Sequence, residues 1–92
     1  MWPHPAKDAI KNTQKLLNGY SIGLHHPKNL VKNVLSEGHS AKYAIEVNRR
    51  LQEAANKAIA DGLKKKGIRN AILGELDKIA NQIKRSPKDL FK

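Results

Sequence analysis

Four histidines and one asparagine are the side chains in this sequence that could hold a metal ion or move a proton. His4 is near the start, His25 and His26 are adjacent, and His39 lies downstream of Asn29. Metal ligands must converge on one point, which neighbouring loop residues rarely do. The spacing leaves two interpretations open. One is a histidine metal site, and the other is exposed loop residues at His25 and His26 with His39 flanking a helix start.

A run of positive charge at residues 64–69 is the second feature with a chemical use. It contains Lys64, Lys65, Lys66 and Arg69 around a glycine. Such groups suit contact with phosphates, although a solvated turn explains the same run. The chain has a formal net charge of +10 at pH 7 and a pI of about 10.1, which favours polyanion partners such as nucleic acid, anionic lipid or an acidic protein.

The charge is unevenly distributed along the chain. Residues 1–35 carry five Lys or Arg and one acid, residues 36–62 carry four of each, and residues 63–92 carry nine and three. This distribution is expected if the middle segment belongs to the core and both ends face a polyanion.

Several classes of function find no support in the residues. The absence of cysteine excludes disulfides and thiolate zinc sites. No Ser-His-Asp, Cys-His or glycine-rich phosphate loop is present, and Trp2, Tyr20 and Tyr43 are too scattered to form a base-stacking platform. No apolar run approaches the roughly 20 residues that span a bilayer, and the start lacks signal-peptide features. We therefore expect no membrane partner, and the sequence leaves the compartment open.

The apolar periodicity predicts three helices in a single small domain that covers residues 1–92. The first begins at Pro5 and ends in a left-handed cap at Asn18-Gly19, with Ile22 tucked inward. The second follows Ser40 and stops at Gly62. Its predicted apolar residues are Tyr43, Val47, Leu51, Ala54, Ala55, Ala58 and Ile59. Those of the third, which ends at Ser86, are Ile68, Ile72, Leu76, Ile79 and Ile83.

The predicted fold class is mainly α, with an irregular or short β insert between the first and second helices. Leu30, Val31, Val34 and Leu35 are too few to decide between a strand and an irregular turn. Residues 64–67 form a short connection, so the stripes of the second and third helices should face each other.

Several short motifs together resemble one family. They are Leu-Leu-Asn-Gly-Tyr-Ser-Ile at residues 16–22, Asn-Leu-Val at 29–31, Gly-His-Ser-Ala-Lys-Tyr at 38–43 followed by Val47 and Arg50-Leu51, and residues 76–80 with Ile83. In these the chain resembles the AHH nuclease domains of the HNH/endonuclease VII superfamily. Those domains are found mostly as C-terminal toxin modules of bacterial polymorphic toxins.

The resemblance implies a one-metal nuclease with a ββα-metal-like element. One histidine activates water, an asparagine orients that base, and other histidines hold a divalent ion that stabilises the phosphate transition state. Carried over to this chain, Asn29 is the orienting residue and His39 a metal ligand. His4 is the histidine nearest to the place of the general base. The implied cofactor is Mg²⁺, Mn²⁺, Zn²⁺ or Ni²⁺, and the implied partners are nucleic acid and an acidic immunity protein.

The chain departs from the family pattern at two places. The paired histidine that supplies the general base would lie just before Trp2, and Leu35 stands where a histidine is expected one helical turn before His39. We therefore expect a truncated or degenerate nuclease domain, the C-terminal part of a longer, secreted toxin. The alternative is a non-enzymatic basic helical module that binds nucleic acid or an acidic protein. A membrane-surface protein is disfavoured by the neutral central helix.

These departures predict that the chain lacks efficient nuclease activity. Plasmid DNA and RNA incubated with each of the four metal ions should stay intact, because no general base is positioned beside the metal. Cleavage that depends on metal and disappears in the variant His39→Ala would contradict the degenerate-site interpretation. It would show that His4, His25 or His26 replaces the missing base.

Overall fold

The structure, a computed structural model, describes residues 5–23 and 41–86. These residues form three helices, α1 (Pro5–Gly19), α2 (Ala41–Ala60) and α3 (Lys65–Arg85), and contain no strand. The predicted mainly α class is therefore confirmed for this part of the chain. The predicted insert lies outside the described residues. None of the three helices is long and apolar enough to cross a membrane.

Helix α2 lies at the centre, because both α1 and α3 pack against it. Val47 and Leu51 of α2 are completely buried, as are Ile72 and Ile79 of α3. All four belong to a single apolar cluster, and Tyr43 packs against it half-buried. The prediction that the stripes of the second and third helices pack together is confirmed.

Two residues of the predicted stripe are not in the core. Ala54 is half-buried and does not belong to the apolar cluster. Ile59 is 53% exposed, whereas its neighbour Ala58 is buried. Successive residues of a helix are separated by about 100° around the axis, so Ile59 points away from the face that Ala58 turns inward. Its assignment to the core was wrong.

Helix α1 packs on α2 through a face that carries one buried hydroxyl. Ala9, Thr13 and Leu17 recur every four residues and are buried. The Thr13 hydroxyl lies 2.8 Å from the carbonyl oxygen of Ala9 and 3.1 Å from Oδ1 of Asn48 on α2. The proton of the hydroxyl has an acceptor in either direction, so this buried polar group is satisfied.

The end of α1 differs from the prediction. The left-handed residue is Ser21, with φ of 59°, whereas Gly19 is the last residue of the helix. The amide of Ile22 donates to the carbonyl of Leu17 at 2.8 Å and that of Ser21 to Asn18 at 3.1 Å, which is the Schellman pattern. Ile22 and Leu17 are both buried. The apolar contact between them accounts for the turn at Ser21, two residues past the expected glycine.

Helix α2 ends in the same pattern, and here the predicted glycine is the cap. Gly62 has φ of 81°, and its amide donates to Ile59 at 3.0 Å while the amide of Leu63 donates to Ala58 at 3.0 Å. The third helix ends at Arg85, as predicted, and Ser86 follows it as an extended cap.

The cap at Ser21 predicts that Ser21→Gly stabilises the protein. A side chain in the left-handed region costs about 1–2 kcal/mol, and the extra backbone entropy of glycine offsets part of this, so we expect a net gain of roughly 0.5–1 kcal/mol. Urea denaturation followed by circular dichroism measures it. The matched control is Ser86→Gly, where φ is −167° and no strain is relieved. A midpoint for Ser21→Gly no higher than that of the control would contradict the prediction.

Candidate nucleic-acid interface

The lysine cluster, defined as Lys64, Lys65 and Lys66, begins α3. The predicted connection between the second and third helices includes all three lysines, but α3 starts at Lys65, so only Lys64 lies outside the helix. The amide of Ile68 donates to the carbonyl of Lys64 at 2.9 Å, which is the first bond of the helix. Two of the three lysines therefore project from a helical turn.

The electrostatics of this turn are unfavourable for the helix itself. Lys64 is the N-cap residue and makes no side-chain cap bond, and the first turn contains no acid. The N-terminal end of a helix carries partial positive charge and exposes amide groups without helical partners. All three lysines are exposed. Within residues 5–23 and 41–86 none of them has an ion-pair partner.

Arg69 joins the end of α1 to the first turns of α3. Its Nε donates to the carbonyl oxygen of Tyr20 at 3.1 Å. The end of α1, the link between α2 and α3 and the start of α3 consequently lie at one end of the molecule. A guanidinium has five N–H donors, so this bond leaves the Nη groups of Arg69 for a second partner. Arg69 thus has a structural contact that no pattern in the sequence indicates.

The arginines of α2, in contrast, are engaged by glutamates. Arg49 makes a fork with Glu46, through Nε at 2.9 Å and Nη2 at 2.6 Å, and also donates to Glu53. The hydrogen bond from Arg49 lowers the pKa of Glu46, helped by the charges of Arg49 and Arg50 and opposed by partial burial. These groups all lie on one helix, at the three- and four-residue spacings at which side chains meet.

Arg50 links α2 to α3. Its Nε donates to Oε2 of Glu75 at 2.7 Å, its Nη2 is 2.6 Å from the same oxygen, and its Nη1 donates to Gln82. The Arg50 and Glu75 side chains are only 14% and 19% exposed. Because the pairing joins two helices, no spacing within one segment of sequence could indicate it.

An open groove of about 630 Å³ lies beside the ion pairs of Arg49 and Arg50. Its lining residues are Arg49, Arg50, Glu53, Ala54, Asn56, Lys57 and Glu75. Four of the five charged groups there are already joined in the ion pairs of Arg49 and Arg50. The groove is therefore close to neutral and offers little attraction for an anion.

The predicted catalytic residues Asn29 and His4 and the predicted metal ligand His39 lie outside the described residues. Within the described part of the chain, no group of three or more His, Cys, Asp or Glu side chains could hold a metal ion. The chain matches no protein-family model, no curated protein and no solved structure. Of the predicted site, the structure places Lys64, Lys65, Lys66 and Arg69 at one end of the molecule.

The different surroundings of Arg69 and Lys65 predict opposite effects of truncation. Arg69→Ala should lower the stability by about 1 kcal/mol, because it leaves the Tyr20 carbonyl without its partner. In a domain of this size that is roughly 4–8 °C in Tm. Lys65→Ala should leave Tm unchanged or raise it, since it removes a cation from the positive end of α3. Thermal denaturation of the two variants beside the parent protein measures both shifts. Equal losses in the two variants would show that the Arg69 contact does not stabilise the fold.

Proposed function

We propose that this protein binds nucleic acid through the phosphate backbone, and that the lysine cluster and Arg69 make the contact. The observation that carries the proposal is the concentration of unneutralised positive charge at one end of the molecule. Lys64, Lys65 and Lys66 are exposed and have no ion-pair partner among the described residues. A polyanion is the partner class that such a cluster attracts.

The cost of this arrangement to the fold supports a role in binding. Three consecutive cations repel one another and oppose the dipole of α3, at about 0.3–1 kcal/mol for each unfavourable position. An acid or a short polar cap would stabilise the same turn. Local choices that work against stability tend to occur at functional sites. A bound phosphate would make this turn favourable for the helix, since it pairs with the lysines and accepts hydrogen bonds from the exposed amides.

The contact should be made with the backbone, without recognition of individual bases. Sequence-independent stacking requires aromatic side chains on the surface. Tyr20 and Tyr43 are half-buried and pack against the core. Lysine on a flexible stem behaves as a point charge toward phosphate. We therefore expect similar affinity for duplexes of different sequence, apart from effects of their deformability.

Metal-dependent hydrolysis is the second candidate, and the motif at residues 38–43 is the observation that favours it. In that case His39 and Asn29 would act at the bound phosphate, and the lysine cluster would hold the substrate. Binding without cleavage is the outcome that we expect, because Leu35 stands four residues before His39, where the family pattern has a histidine. The acidic immunity-type protein proposed as an alternative partner would compete for the same lysines.

Salt dependence tests the proposal directly. Each phosphate contact changes the slope of log K against log salt by about −0.9, so replacing all three lysines of the cluster by alanine should make the slope less negative by up to about 2.7. Fluorescence anisotropy with a labelled DNA duplex between about 50 and 200 mM salt measures both slopes.

The matched control carries the same change of charge elsewhere. Lys7, Lys11 and Lys15 lie exposed on α1, and their joint replacement by alanine should change the slope less. Equal changes in the two triple variants would show that the charge acts diffusely and that the cluster is not the site. Absent binding, or binding insensitive to salt, would exclude the backbone contact and favour the acidic protein partner.

A further inference from the structure

Two exposed aliphatic side chains lie beside the lysine cluster. Leu63 directly precedes Lys64 and is 46% exposed, and Ile59, one turn earlier, is 53% exposed. Ile45, which is 43% exposed, lies in the first half of α2, away from this end. A single exposed aliphatic residue is common on protein surfaces. Ile59, Leu63 and the three lysines, all within residues 59–66, form the amphipathic tip, which offers a partner both apolar surface and positive charge.

Leu63 is held in place by the backbone on both sides. Its amide donates to Ala58 at 3.0 Å, and it follows the left-handed Gly62. On the other side it lies against Gly67 in the first turn of α3. A Cβ at that glycine would come within 3.0 Å of the Leu63 Cβ and 3.4 Å of its Cδ1. The glycine therefore makes room for Leu63, which remains 46% exposed and directly precedes the lysine cluster.

We propose that Leu63 is an apolar wedge that enters the base stack of duplex DNA while the lysine cluster contacts the flanking phosphates. This inference rests on the proposed nucleic-acid binding and adds the form of substrate and the mode of contact. Proteins that bend DNA insert Leu, Ile, Phe or Met between base pairs, usually from the minor groove. Such insertion is easiest at pyrimidine–purine steps such as TA, which unstack readily.

The chemistry of the tip favours a duplex over a single strand. Single-stranded nucleic acid is held by stacking of its bases on aromatic rings, whereas an aliphatic side chain has no flat face for a free base. A duplex offers a stack that an aliphatic wedge can part. The adjacent lysines can then pair with phosphates that flank the kinked step.

An anionic membrane shares the negative charge but fits the tip less well. Even a whole myristoyl chain gives only marginal membrane binding, and two half-exposed aliphatic side chains bury far less apolar surface. In a base step, a single wedge is sufficient to produce a kink. Vesicles containing phosphatidylserine therefore serve as the competing probe in the test.

The experiment uses a DNA duplex with 2-aminopurine at a central TA step, because the fluorescence of this base rises when it is unstacked. The parent protein should bind and raise the fluorescence. Leu63→Gln keeps a Cβ and a Cγ beside Gly67 and changes the polarity of the side chain beyond them. It should abolish most of the rise and weaken binding about tenfold, with an unchanged salt slope. Leu63→Phe, a larger wedge, should retain the rise. Ile45→Gln is the control for an equally exposed residue and should behave like the parent.

The outcomes distinguish failure of the Leu63 wedge from failure of the proposed nucleic-acid binding. If the parent binds the duplex without a rise in fluorescence, or if Leu63→Gln matches Ile45→Gln, the wedge is excluded and backbone binding stands. If no duplex binding occurs, both proposals fail. If Leu63→Gln loses binding to phosphatidylserine vesicles but not to DNA, the tip is a membrane contact and the wedge is overturned. Circular dichroism of each variant checks that the helices are retained.

Discussion

The fold depends on the burial of two sides of one helix. Helix α2 packs against both α1 and α3, and its buried residues include the larger Val47 and Leu51 and the small Ala44, Ala55 and Ala58. Alanine lets a neighbouring helix approach closely without a loss of side-chain entropy. With α2 fixed between its neighbours, the short link at residues 61–64 and the bond from Arg69 to α1 leave little freedom in where the basic turn can lie.

Arginine and lysine have divided roles in this chain. Arg49, Arg50 and Arg69 make directed contacts with glutamates, an amide or a backbone carbonyl, for which the planar guanidinium fork is suited. Among the described residues, the lysine cluster makes no ion pair, and its three side chains are exposed. Much of the acidic charge on α2 and α3 is therefore paired with arginine, and the lysine cluster contributes three exposed cations to the remaining positive charge.

Helix existence and the α2–α3 core could be predicted because the apolar spacing of each helix is regular. Details set by contacts between distant residues could not. Ser21 replaced Gly19 as the left-handed residue because the burial of Ile22 decides where the chain turns, and glycine is only a preference. Likewise, Lys65 belongs to α3 and not to a loop. The proposed roles of Asn29, His4 and His39 rest on family resemblance and lie outside the described residues. They remain predictions.

Arg50 also determines which residues of α2 and α3 face each other. The apolar residues of α3 repeat every three or four positions, so a slide of one turn along α2 would replace each aliphatic contact by another of similar size. Hydrophobic burial alone discriminates poorly between such alignments, because exchanges of aliphatic residues of similar volume cost little. Arg50 contacts Glu75 and Gln82, which lie two turns apart on α3. A shift of α3 by one turn would break both contacts and leave the largely buried charge of Arg50 without a partner. Arg50 thus fixes the position of α3 along α2, and with it the position of the lysine cluster at the start of α3.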